Sequence, residues 1–411
     1  MTAPSDALRA AGAAPGAPLG ISAKSSPAPS SSVVIPTFQV DPGTGEVLWD
    51  KPEYSPAKVR AERFALQSVA RSILWGSRTA KCLRLLQAHR KDVEVWKSKL
   101  RESAVFGGLQ TCGSVWSCPV CAAKISERRR GELLHAIQAH RADGGDVLLL
   151  TLTNPHKLGD SLAEAVERQA KAMSRFNSTR AAARLWGAIG CVGTVRAWEV
   201  THGANGWHPH FHLLLFVRSG LDLAQLRERC YALWANACRL AGLPVPEFAV
   251  PYRLRNGSFG VFFGVDVQDG KQAAMYASKW GLESEMTKGH TKKSRAAKGR
   301  TPFDLLRAKL MDEDREAAVL FAEFSRVFKG RRQLVWSKGL KAHFAVEDLT
   351  DEELAAHQDD TAMLLGRISL DQWRAILRLD LRADVLELAS QGWGPVQTLL
   401  DGLPALPPDS S

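Results

Sequence analysis

Trp207-His208-Pro209-His210-Phe211-His212-Leu213-Leu214-Leu215-Phe216-Val217 alternates as a β-strand does. Side chains on a strand point to opposite faces with period two. His208, His210 and His212 are therefore expected on one face, with Phe211, Leu213 and Leu215 on the other. The continuation is apolar on both faces, which predicts a central strand. Imidazoles spaced along one rigid strand suit a divalent metal, because neutral ring nitrogens are common ligands. The plainer alternative is a strand whose histidines merely cover a half-exposed face.

Upstream, Cys191 to Thr201 reads as a second strand, and Asn205-Gly206 as the turn of a β-hairpin spanning 191–217. Glu199 then lies across the hairpin from the histidines and is the candidate third ligand, with His202 as an alternative. A His/His/Glu set with open positions can hold Mg²⁺ or Mn²⁺ against a phosphate and polarise it.

Other strands are expected at Val147–Thr153, stopped by Asn154-Pro155, at Phe259–Val267 and at Gln333–Trp336. Helical patterns cover 56–75, 126–141, 160–184, 221–241, 271–280 and 303–328. Strands interleaved with helices around one antiparallel hairpin argue for an α+β fold, a central antiparallel sheet with helices packed on one face. A small zinc-binding segment and a helical C-terminal tail, with patterns near 350–365 and 369–390, complete it. The expected organisation is a segment over 1–56 that is disordered to residue 35 and then extended, a zinc-binding and helical region over 57–142, a catalytic domain over 143–345 and an acidic helical tail over 346–411.

The chain has 411 residues, 45% hydrophobic and 24% charged, with a formal net charge of +11. No apolar run is long enough to cross a bilayer. The first residues lack a secretory pattern, so a cytoplasmic protein is expected. Residues 346–411 hold 13 Asp/Glu against 4 Arg, so the remainder carries +20. A body of that charge attracts polyanions and gains from counterion release on phosphate contact. Membrane binding is disfavoured, because no amphipathic basic anchor accompanies the charge.

Three of the seven cysteines stand in Cys112-Gly-Ser-Val-Trp-Ser-Cys118-Pro-Val-Cys121. The two-residue step from Cys118 to Cys121 lets both thiolates reach one tetrahedral ion, as in a structural Zn²⁺ knuckle. Cys82, His135 or His140 is the candidate fourth ligand. Cys191, Cys230 and Cys238 read as buried thiols.

A phosphate-directed metal needs a nucleophile, and the chain has four tyrosines. Tyr54 lies in the lead-in, Tyr231 on an apolar helical stripe and Tyr252 after a proline. Tyr276, in Met275-Tyr276-Ala277-Ser278-Lys279-Trp280, shares a helix face with Lys279. Lys279 is expected to ease deprotonation of the phenol or to stabilise charge on phosphorus. Residues 271–300 contain eight Lys/Arg and two Glu. Lys288, Lys292, Lys293, Arg295, Lys298 and Arg300 are the expected contacts to single-stranded DNA.

Taken together, these segments resemble the rolling-circle replication initiator (Rep) proteins of plasmids, within the HUH endonuclease superfamily, in particular the zinc-containing actinobacterial group. The resemblance rests on Thr111–Lys124, Leu150-Thr-Leu-Thr153, Trp198-Glu-Val-Thr-His-Gly203, Asn205–His212 and the tyrosine helix. It also rests on Gly299-Arg-Thr-Pro-Phe-Asp-Leu-Leu306 and Gly330-Arg-Arg-Gln-Leu-Val-Trp-Ser337, and spans about residues 60–345. It implies an HUH/RRM-like palm, with His210 and His212 as metal ligands and Tyr276 as nucleophile. Tyr276 would attack the plasmid double-strand origin, leaving a 5′-phosphotyrosyl link and a 3′-OH for a host polymerase, with a host helicase as further partner. Some relatives carry a glutamate one turn before the tyrosine, where this chain has Gln272; Glu283 or Glu285 is the candidate substitute. The rival readings are an HUH transposase or relaxase, and a zinc-containing DNA-binding regulator that cuts nothing.

Overall fold

The computed structural model describes residues 38–40, 47–49, 56–99, 103–247, 264–280, 299–356 and 361–404. Strands β1 (Phe38–Val40) and β2 (Val47–Trp49) pair with each other, ahead of helices α1 (Pro56–Ile73) and α2 (Arg78–Lys81) and strands β3 (Val93–Lys97) and β4 (Ala104–Gly107). Helix α3 (Pro119–Ala142) leads into β5 (Gly145–Leu152), and α4 (Leu162–Ser178) and α5 (Arg180–Ala188) lead into β6 (Gly193–Gly203) and β7 (Gly206–Arg218). Next come α6 (Leu223–Ala241), β8 (Val265–Gln268), α7 (Gly270–Ser278), α8 (Pro302–Asp312), α9 (Arg315–Val327), β9 (Leu334–Trp336) and α10 (Leu340–His343). The C-terminal region adds α11 (Asp351–Ala356), β10 (Met363–Ile368), α12 (Leu370–Arg378), α13 (Arg382–Gln391) and α14 (Trp393–Asp401). None of the helices among the described residues is long and apolar enough to cross a membrane.

The main sheet has the order β8-β5-β7-β6-β9, and every pairing is antiparallel. The histidine strand β7 is its centre, as an apolar run with two faces to bury requires. One face sets Phe211, Leu213 and Leu215 with Leu148, Leu150 and Leu152 against Phe176, Trp234 and the α9 phenylalanines. The other sets Leu214 and Phe216 with Val147 and Leu149 against Leu133, Ile137, Ala273, Ala277 and Phe344. Helices therefore cover both faces, which corrects the expectation of helices on one. The cause is visible in β5 and β7, where consecutive apolar residues leave neither face fit for water.

Several helices are bounded by local chemistry that the apolar pattern does not carry. Helix α3 starts at Pro119, ahead of the expected Ser126, because proline needs no amide partner at the first helical position. The expected helix over 160–184 is two, since Thr179 accepts from the Ala182 amide and caps α5. The helix over 303–328 breaks where Glu313 takes φ +51° and Asp314 caps α9. In the tail, Met363–Ile368 forms a strand instead of a helix end, pairing with β3 in a sheet of order β10-β3-β4. Glycine is required at 366 there, since a Cβ would lie 2.3 Å from the Trp393 ring. Of the strand expected over 259–267, residues 259–263 lie outside the described residues.

One buried side chain braces the hairpin where the histidines begin. Gln169 on α4 is fully buried. Its amide donates to Asn154 Oδ1 at 2.8 Å and to the Pro209 carbonyl at 2.6 Å, while its Oε1 accepts from Trp198 Nε1 at 3.2 Å. Leucine at this position would strand three buried polar groups, each costing about 1–3 kcal/mol. Gln169→Leu is expected to lower stability by roughly 2–5 kcal/mol, measured by urea denaturation.

Candidate active site and cysteine cluster

The pairing of β6 with β7 sets Glu199 opposite His210 and Ala197 opposite His212. Glu199 Oε2 lies 3.6 Å from His210 Nε2 and 3.5 Å from His212 Nε2. The ligand atoms of the three residues all lie within 4.8 Å of one another. Neighbouring donors about 2.1 Å from one ion stand roughly 3 Å apart, so modest contraction of this set fits a divalent cation. The ring nitrogens facing away are held. His210 Nδ1 donates to the His208 carbonyl at 3.2 Å, and His212 Nδ1 shares a 2.9 Å hydrogen bond with Thr151 Oγ1. Such outer bonds leave both Nε2 atoms turned toward Glu199.

Tyr276 projects from α7 onto the same cluster. Its hydroxyl donates to Glu199 Oε1 at 2.6 Å, and its ring centre stands 4.9 Å from that of His212. Burial alone would raise the Glu199 carboxyl, but the His212 and His210 imidazoles outweigh it and hold the group well below the usual carboxylate range. The acceptor beside the phenol is therefore an anion.

His208 shares the face but has another partner. Thr153 Oγ1 lies 2.7 Å from its Nε2, and its ring stacks on His156 at 4.5 Å. Burial, with the neighbouring histidines adding to it, pushes His208 down to about 3. His202 is not in the cluster: it packs edge-on against Trp207 at 4.9 Å.

A cavity of about 340 Å³ adjoins this cluster, lined by Glu199, Tyr276, Lys279 and Gln272 at one side and by Trp116 and Phe303 at the other. Val200, Thr201 and Gln333 also line it, at an interruption in pairing along the β6 edge. The Trp198 amide donates to the Gln333 carbonyl at 2.9 Å, and pairing resumes where His202 and Arg300 exchange bonds of 2.8 and 2.7 Å. The Val200 backbone between them, which also lines the cavity, faces the open edge. Arg300 is tied down by that bridge and by an ion pair with Asp314 at 3.1 Å. Lys288, Lys292, Lys293, Arg295 and Lys298 lie outside the described residues, as do Tyr54, Tyr252, Glu283 and Glu285. Tyr231 donates its hydroxyl to the Pro246 carbonyl at 2.8 Å, a packing contact.

The structure also brings Cys82, Cys112, Cys118 and Cys121 into one buried group. Sγ–Sγ separations are 3.5 Å for Cys82–Cys121 and 3.7 Å for both Cys112–Cys121 and Cys118–Cys82. A tetrahedron of sulfurs 2.3 Å from a zinc ion has edges of about 3.8 Å, so this set could hold a metal ion. Hydrogen bonds from Cys118, Cys121 and Cys82 draw the Cys112 thiol below the usual range. His135 and His140 are elsewhere, bonded to the carbonyls of Phe344 and Val217 at 2.9 Å each. Cys230 and Cys238 are buried, and burial pushes both thiols up to about 12; half-buried Cys191 reaches about 11.

The family described as Replication protein matches residues 107–245, a segment holding three of the clustered cysteines, Glu199 and the histidine strand. Over that segment, about a third of the chain, this protein is similar to the replication-protein family. Tyr276 lies beyond the match. Among relatives, "Protein rep" of Streptomyces lividans is 26% identical over 358 residues, covering 68% of this chain and 76% of that protein. "Protein rep" of Lentilactobacillus hilgardii is 32% identical over 135 residues, 31% of this chain and 41% of that one. "Neomycin resistance protein" of Streptomyces cyanogenus is 31% identical over 140 residues, 28% and 32% of the two chains. No solved structure matches.

Reading the sequence missed Thr151 and Thr153, which hold His212 and His208, and Trp116 as a cavity wall. Thr151 had a signal: it interrupts the apolar run of β5 on the histidine face. For His208, an unfolded histidine titrates near 6.5 while the folded one stays neutral to about 3. Between those values the unfolded chain binds the extra proton, so stability falls as pH drops from about 6.5 toward 3. His208→Asn is expected to flatten part of that acid limb, read from denaturation midpoints across pH.

Proposed function

We propose that this protein is a replication protein that initiates rolling-circle replication of plasmid DNA by nicking and rejoining one strand of the origin through Tyr276. The single observation that carries this reading is the 2.6 Å contact from the Tyr276 hydroxyl to Glu199. It joins a phenol, an ionised carboxylate and two imidazoles beside a cavity that Glu199 and Tyr276 line.

The two oxygens of Glu199 divide the work: Oε2 faces the imidazoles and Oε1 accepts from the phenol. In this reading Tyr276 Oη attacks phosphorus while its proton passes to Glu199 Oε1. The P–O3′ bond breaks, the O3′ takes up a proton, and the 5′ phosphate stays esterified to Tyr276. The reverse attack by a 3′-OH regenerates the phosphodiester, because a phosphotyrosyl ester conserves the bond energy. Lys279, on the cavity wall, would offset charge developing on phosphorus. A Mg²⁺ or Mn²⁺ ion held by Glu199, His210 and His212 would supply Lewis-acid polarisation of a phosphate oxygen. Zn²⁺ in the cysteine cluster would be structural, since four protein sulfurs leave no open position.

Charge supports the same reading. The +20 borne outside the acidic tail favours a polyanion. The freed 3′-OH would serve as primer for a host polymerase, with a helicase opening the duplex ahead of it. Incubation with Mn²⁺ and single-stranded origin DNA is expected to give a covalent adduct mapping to Tyr276. Tyr276→Phe should lose the adduct and keep binding; an adduct that survives this change, or none with wild type, would refute the nickase reading. A regulator without cleavage predicts that Tyr276→Phe changes no activity. Glu199→Gln should slow adduct formation about 10²–10⁴-fold, the range of a lost general base.

A further inference from the structure

Arg382, the first residue of α13, is one of the most buried side chains, with no exposed surface. Its guanidinium crosses to α1, where Nη1 donates to Gln67 Oε1 at 2.6 Å. Nη2 donates to Ser68 Oγ at 3.2 Å and to the Phe64 carbonyl at 3.4 Å, and the group stacks over the Phe64 ring at 4.5 Å. All of these partners are neutral. Among the described residues the one carboxylate in ion-pair range is Asp380, 3.6 Å away and 54% exposed. A buried cation placed so needs more negative charge than a solvated aspartate gives. Burial pulls its pKa to about 10 and Arg84 adds to that, while Asp380 and Cys118 act the other way.

The missing charge lies one side chain further on. Gln67 is almost fully buried; it accepts from Arg382 through Oε1 and donates through Nε2 to Cys118 Sγ at 3.4 Å. Four thiolates around a divalent ion carry a net charge of −2 by simple charge counting, and here they would carry it in the protein interior. The C-terminal region also presses on the cysteine segment directly. Gly113 has φ +63°, and a Cβ there would lie 2.8 Å from Glu352 Cγ; Lys124 Nζ donates to the Ala355 carbonyl at 2.7 Å.

We infer that Arg382 is the counter-charge of the cysteine metal centre, acting through Gln67, and that metal in this centre fastens the C-terminal module of residues 361–404 onto α1. Arg382 is a positioning residue here and touches no metal ligand itself. The acidic tail thus has a structural task tied to the metal, independent of whether Tyr276 cuts DNA.

The test uses the full-length protein loaded with Zn²⁺ or Co²⁺ and titrated with a chelator. Arg382→Met is expected to bind metal 10–100-fold more weakly, the usual loss for an outer partner of a ligand, with Arg382→Lys recovering part of it. Affinity of the Met variant within about twofold of wild type would overturn the inference, as would equal losses in both variants, which mark a packing role. Hydrogen exchange on the wild-type protein covers the case in which Arg382→Met does not fold. Removing the metal should speed exchange in α12, α13 and α14; unchanged rates there would overturn the inference.

Discussion

The register of β6 against β7 sets Glu199 across from His210, and a slip of one residue would turn every histidine of β7 to the opposite face. Three features hold that register. Gly206 takes φ +81° directly after the Ala204-Asn205 loop, the geometry that closes a hairpin with a left-handed residue. The central position of β7 buries both of its faces, so a slipped strand would carry imidazoles into the α4–α6 core. Gln169 grips the Pro209 carbonyl and Trp198 together, locking the two strands between the first and second histidines. The chemistry of the site is thus set by a backbone alignment before any side chain is chosen.

That alignment was the part most open to reading from residues alone. Period-two histidines followed by an apolar run require a central strand, and a turn at Asn205-Gly206 brings Glu199 opposite them. Tyr276 stood out because the other tyrosines had plainer uses. What could not be read depends on distant parts of the chain. Met363–Ile368 is a strand that pairs with Val93–Lys97, a distant partner that local periodicity does not show. Cys82 joins the knuckle from the residue after α2, and nothing in its neighbourhood distinguishes it from His135 or His140 as a ligand. The second helical layer combines Leu133 and Ile137 of α3 with Ala273 and Ala277 of α7, and periodicity within a helix does not tell which face of the sheet it covers.

The three histidines of one face are chemically unequal although the sequence spaces them evenly. His210 and His212 direct Nε2 at Glu199, whereas His208 is engaged by Thr153 and stacked on His156. Thr151 engages Nδ1 of His212 and Thr153 engages Nε2 of His208, so the two rings present opposite nitrogens to β5. Histidines of two kinds are therefore made from identical residues, by β5 hydroxyls at His208 and His212 and by the His208 carbonyl at His210.

The cysteine segment is coupled to the same strands from behind. Trp116 contacts Phe328 at 4.6 Å, Phe328 contacts Trp198 at 5.5 Å, and Trp198 contacts Phe211 at 4.9 Å, ring centre to ring centre. Phe211 stands between His210 and His212 on the opposite face of β7. This aromatic ladder packs the knuckle against the far side of the histidine strand, while Trp116 also lines the cavity that ends at Tyr276. A knuckle held rigid at its sulfurs fixes Trp116, Trp116 fixes the ladder, and close-packed rings transmit displacement poorly absorbed elsewhere. Loss of order at the cysteines would then reach the histidine strand through its apolar back and the cavity through its wall. The cysteine cluster and the histidine–carboxylate cluster are in this way parts of one mechanical unit.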